Sequence, residues 1–166
     1  MKSVTSIFIP CMLFFAVALS SVNALAINAG EIPADFEIKS NHGETIKLSS
    51  LKGKVVYLDF WASWCVSCAH SIPWLSELQK KLGSEKFQVL AVNLDEKSEM
   101  ADAFLAKKQA ELLVGYDPEG SIPEIFQMKA MPTSYLLDKD GKVISTHEGF
   151  KEADAALIEE EIKKAL

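Results

Sequence analysis

Arginine is absent from the 166-residue chain: all 17 basic side chains are lysine, set against 23 acidic ones. This excludes bidentate guanidinium clamps for phosphate, and a net charge of −6 has the wrong sign for nucleic acid. No Walker or G-x-G-x-x-G phosphate loop is present. Cysteine is scarce, with Cys11, Cys65 and Cys68 the only three. His42, His70 and His147 form no H-x₃₋₅-H set, and a single cysteine pair cannot supply the four ligands of structural zinc, so neither a metal nor a cofactor is expected. Repeats and low-complexity segments are missing too. What remains is 49% hydrophobic and long enough for one domain with a core.

The first stretch does not belong to that core. MKSVTSIFIPCMLFFAVALSSVNALA has a lysine at its head, an apolar run over Ile7–Leu19 and an A-x-A pattern at Ala24-Leu25-Ala26. The run is shorter than the roughly 20 residues that span a bilayer. It reads as a secretory signal peptide over residues 1–26, cleaved after Ala26, and as a membrane anchor if left uncleaved. Cys11 leaves with it. One domain, residues 27–166, then keeps a single cysteine pair, so no disulfide braces distant segments.

Hydrophobic spacing orders that domain. Asp35–Ser40 and Glu44–Leu48 flank Asn41-His42-Gly43, a hairpin signal. Val55–Trp61 is a continuous apolar run, as in a strand covered on both faces. Helical spacing follows over Val66–Leu82, with a kink expected at Pro73. Phe87–Asp95 reads as a second buried strand, Ser98–Ala110 as a helix, Leu112–Tyr116 as a short strand and Ile122–Met128 as a short helix. A hairpin turning at Asp140-Gly141 and an amphipathic terminal helix close the chain. The fold class is α/β, with a central mixed β-sheet flanked by helices and an N-terminal β-hairpin extension.

Cys65-Val66-Ser67-Cys68 falls just past the first buried strand and at a helix start. Unpaired N–H groups and the helix dipole there stabilise a thiolate, lowering its pKa below the free value of roughly 8.5. Cys65 at the edge is the natural nucleophile; Cys68, about one turn further in, can attack a mixed disulfide on Cys65 and resolve it. A purely structural disulfide would close a tiny loop and remove little chain entropy. Trp61 and Trp74 read as packing residues. Trp64 abuts the nucleophile and reads as part of its contact surface.

DFWASWCVSC, with MPTSYLLDKDGKV far downstream, resembles the thioredoxin-fold family. The closer likeness is to its exported thiol–disulfide oxidoreductase branch, of the TlpA, ResA and cytochrome c maturation type, with a redoxin-like lead-in. The resemblance runs from about Gly30 to Leu166 and implies a thioredoxin fold. It implies Cys65 as attacking thiolate, Cys68 as resolving thiol, and a cis Pro132 facing them. Met131, Pro132 and Thr133 would then hold an extended substrate strand beside Trp64. Asp59, six residues before Cys65, stands where thioredoxin has a buried aspartate, and would accept the Cys68 proton as general base. A strand-end carboxylate facing solvent is the plainer alternative, which alternation along the strand does not settle.

The chain departs from the branch at Ser71, where exported reductases often carry Glu, and at Val66-Ser67, positions that tune the reduction potential. His70 could help stabilise the thiolate or simply be a polar helix residue. The resemblance implies a periplasmic monomer that reduces protein or peptide disulfides. It further implies electrons from a membrane thiol transporter of the DsbD/CcdA type. A thiol peroxidase would need a Thr where Ala62 stands, and an arginine. A redox-inert binding module would not need an intact cysteine pair.

Overall fold

The computed structural model describes residues 27–166. The signal peptide expected over 1–26, with Cys11, lies outside the described residues. Seven strands form one mixed sheet: β1 (Glu37–Ser40), β2 (Thr45–Lys47), β3 (Val55–Trp61), β4 (Phe87–Asn93), β5 (Leu113–Tyr116), β6 (Thr133–Leu137) and β7 (Val143–Glu148). Their spatial order is β2-β1-β5-β4-β3-β6-β7. Four helices cover the sheet: α1 (Cys68–Leu82), α2 (Ser98–Lys108), α3 (Ser121–Phe126) and α4 (Ala155–Ala165).

The connections explain the layers. β3, β4 and β5 are parallel neighbours laid down in one direction. Right-handed crossovers therefore put α1 and α2 on the same face. Their apolar stripes (Ile72, Leu75 and Leu78; Ala101 and Leu105) join Ile158 and Ile162 of α4 over Tyr57, Trp61, Val89 and Ala91. The other face packs Leu58, Phe60, Leu90 and Val92 under Phe126 of α3 and Phe36 of the lead-in. Every residue of β3 is buried, including Asp59 among its apolar neighbours.

The N-terminal hairpin is part of the main sheet, not an appendage to it. β1 pairs antiparallel with β5, Lys39 opposite Tyr116 and Ser40 opposite Gly115. Gly115 permits this approach, because a Cβ there would lie 2.6 Å from Ile38 Cδ1 and 2.9 Å from Cγ2. Gly115→Ala should therefore lower stability by about 1–3 kcal/mol through overpacking. Urea unfolding would show a lowered midpoint at unchanged slope; an unchanged midpoint would mean that Ile38 swings clear.

Element ends differ from the sequence expectation by one or two residues in several places, and two of these differences bear on the site. α1 begins at Cys68 rather than Val66, because Val66 and Ser67 form the turn that enters it. It then runs unbroken through Pro73, whose ring deprives only the Ala69 carbonyl of its amide partner. β4 ends at Asn93, where Asp95 takes up a loop role.

Candidate functional site

β3 ends at Trp61, and the chain turns through Ala62, Ser63 and Trp64 into Cys65 at the carboxyl edge of the parallel strands. Asp95, buried at the end of β4, fastens this linker. Its carboxylate accepts the Ser63 N–H at 3.0 Å and the Ser63 hydroxyl at 2.9 Å. Asn93 Nδ2 donates to the same carboxylate at 2.8 Å, and the Asp95 N–H donates back to Asn93 Oδ1. The sequence offered no sign of this brace, since Ser63 and Asp95 are joined only by the β3–β4 register.

Cys65 and Cys68 form a disulfide with Cα atoms 5.2 Å apart. Cys65 retains 8% exposure and Cys68 none. The Cys68 N–H, the first of α1, donates to Cys65 Sγ at 3.3 Å. The sulfur at the surface thus sits on an orphan helix donor at the positive end of a 15-residue dipole. A thiolate formed there gains a partner that a thiolate at Cys68 would lack.

Asp59 is 1% exposed and shares the α1 face of β3 with Tyr57 and Trp61. The solvent-facing alternative is thereby excluded. The hydroxyl of Ser134, directly opposite on β6, donates to Oδ1 at 2.6 Å. Oδ2 has no hydrogen-bond partner among the described residues. Burial pushes the Asp59 carboxyl up to about 7, against the opposing pull of the Ser134 hydrogen bond. Tyr57 is also pushed up, first by burial and then by the Asp59 charge.

The Met131–Pro132 peptide bond is cis. Met131, half-buried, stands just before Thr133, the first paired residue of β6. Beside the disulfide Trp64 is 64% and Val66 80% exposed, a small apolar rim. Thr133 does not join that rim: it is buried, and its hydroxyl donates to the Ala130 carbonyl at 2.7 Å. His70 Nδ1 lies 3.3 Å from Glu152. Trp61 is core, and Trp74 packs at the face edge against Tyr57 and Phe150.

The sequence profile of the Redoxin family matches residues 28–166. The chain belongs to the Redoxin family. It is 33% identical over 135 residues to the thiol-disulfide oxidoreductase ResA of Bacillus thuringiensis subsp. konkukian, covering 81% of this chain and 77% of that one. A crystal structure from Chlorobium tepidum, assigned as the thiol:disulfide interchange protein DsbE, superposes with a TM-score of 0.80. It is 45% identical and covers 84% of this chain and 99% of its own. The exposed lipoprotein thioredoxin Etrx1 of Streptococcus pneumoniae superposes at 0.64, with 39% identity, 79% of this chain and 99% of its own. The fold is the thioredoxin fold of the TlpA/ResA-type branch, and this redoxin is a thiol–disulfide oxidoreductase.

Proposed function

We propose that this redoxin reduces disulfides in proteins outside the cytoplasm, with Cys65 as nucleophile, Cys68 as resolving thiol and Asp59 as the base that serves Cys68. The observation that carries this reading is the hydrogen bond from the first helix N–H to Cys65 Sγ, on the one cysteine of the pair that reaches solvent. Cys65 thiolate attacks a substrate sulfur; the substrate S–S bond breaks and a mixed disulfide forms. The substrate's other sulfur leaves in that step with its electron pair; Cys68 Sγ then bonds to Cys65 Sγ, its proton passes to Asp59, the bond between Cys65 and the attacked sulfur breaks, and that sulfur leaves with its electron pair. Two electrons have moved from the dithiol to the substrate.

A neutral thiol buried at Cys68 needs a proton acceptor within the protein, and a buried carboxyl that titrates at about 7 can hold or release a proton at working pH. The main chain of Met131 next to Pro132 offers an edge for an extended segment, and Trp64 offers an apolar contact. Export by residues 1–26, periplasmic residence, a membrane donor of the DsbD/CcdA type and a place in cytochrome c maturation complete the proposal.

Cys68→Ser tests it. In cells the variant should accumulate mixed disulfides between Cys65 and its substrates, visible on non-reducing gels and lost on adding dithiothreitol. Acid quench and thiol alkylation of the unsubstituted protein should find the pair mostly reduced. A mostly oxidised pair, with no trapped partner, would assign the oxidising direction instead.

A further inference from the structure

Asp59 is sealed from water, so a proton it takes from Cys68 either returns to Cys68 when the disulfide is next reduced or needs a path to solvent. The register of β3, β6 and β7 sets Asp59 opposite Ser134, and Ser134 opposite His147, in one row across the sheet. Opposed residues share a face, with Cβ atoms about 4.5–5.5 Å apart. The row continues onto α4, where Glu161 Oε2 lies 3.2 Å from His147 Nε2. Exposure rises along it: Asp59 is sealed, the His147 side chain is 19% exposed and that of Glu161 45%.

We propose that Ser134, His147 and Glu161 form a proton relay connecting Asp59 to solvent. The inference rests on the reading of Asp59 as the base for Cys68. After resolution Asp59 carries the Cys68 proton on a carboxyl oxygen. The Ser134 hydroxyl, which donates to Oδ1 at 2.6 Å, turns to accept this proton and passes its own to His147, directly or through one water. Imidazole takes a proton on one nitrogen and releases one from the other. Nε2 faces the Glu161 carboxylate and the Ser145 hydroxyl, which is 3.3 Å away. The proton leaves to water at Glu161, and no electron moves in this step.

The surroundings suit a guided path. Around His147 stand Tyr57 of β3, its ring centroid 6.1 Å from the imidazole, Ser145 of β7 and Glu161 of α4. The Trp74 ring meets Tyr57 edge-on, and Phe150 packs against Trp74. A purely structural role for His147, pinning α4 to β7 through Glu161, uses the same ion pair but has no need of Ser134 or Asp59.

The test is turnover of insulin disulfides with dithiothreitol as reductant at pH 7.5. His147→Gln should lower the rate about 10-fold, and added imidazole should restore most of it, as expected when a proton-transfer group is lost. Glu161→Gln, a change at the exposed end, should slow turnover less and respond to imidazole in the same way. It carries the test if His147→Gln proves unstable. In an Asp59→Asn background neither substitution should slow turnover further. Full activity in both variants, slowing that imidazole does not relieve, or equal slowing in the Asp59→Asn background would each overturn the relay. An Asp59→Asn variant with unimpaired turnover would instead remove the reading of Asp59 as base, so the two failures are distinguishable.

Discussion

A Cys65→Ser variant reduces no insulin disulfide beyond the rate of dithiothreitol alone. Serine cannot form a mixed disulfide, and Cys68 cannot take over, because it is fully buried behind Cys65. The helix N–H that favours a thiolate points to position 65, so the surviving thiol also lacks that partner. Cys68→Ser behaves differently: it still attacks once and then stalls. Both variants keep their fold, since a loop this small contributes roughly 2 kcal/mol by chain entropy. Turbidity of precipitating insulin chains measures the rates, and circular dichroism checks the fold. Measurable turnover by Cys65→Ser would move the nucleophile to Cys68.

Asp59→Asn makes the protein more stable as pH rises. The ordinary carboxyl value of 3.8 is raised by burial to about 7 in the folded state. Below pH 3.8 both states hold the proton and burial carries no ionisation penalty. Between the two values the unfolded chain releases the proton while the folded one retains it, so stability falls as pH rises. Above about 7 the full cost persists, amounting to about 4 kcal/mol at one pKa unit per 1.36 kcal/mol. Asparagine keeps an oxygen for the Ser134 hydroxyl and never ionises. Relative to the unsubstituted protein, its melting temperature should therefore climb by on the order of 10 °C between pH 4 and pH 8. Thermal unfolding at four or five pH values measures this. A difference that stays constant with pH would show that Asp59 ionises freely in the fold.

A cost of this size at neutral pH supports the proposed role of Asp59 as a base. The apolar surroundings that penalise the Asp59 carboxylate are the same ones that let it hold a proton near neutrality. The stability cost and the proposed catalytic use thus have one physical origin.

Much of this protein is written locally. Val55–Trp61 has to be a strand covered on both faces, because no alternation separates its two sides. The CxxC follows that strand and opens a helix, which by itself favours a thiolate at Cys65. The hairpin pairs and the helix periodicities are equally local, whereas the role of Met131-Pro132-Thr133 is legible only through the family resemblance. Helical spacing alone starts this helix at Val66, two residues before α1, because Val66 and Ser67 satisfy that spacing while forming a turn. The hydroxyl of Thr133 turns toward the Ala130 carbonyl, which the path of the chain into β6 decides.

Other features exist only because distant segments meet. Alternation along β3 could not say whether Asp59 faces core or solvent, since both faces of that strand are covered; the register with Ser134, 75 residues away, decides it. Pairing of β1 with β5 makes the lead-in hairpin part of the main sheet, over a glycine whose neighbour Ile38 lies far off in sequence. Asp95 braces Ser63, and His147 falls in line with Asp59, for the same reason. Sequence fixes what a residue is and which way its own element turns, through short-range sterics and hydrogen bonds. Which residues share a row is settled by strand register, a long-range choice made by the whole core at once.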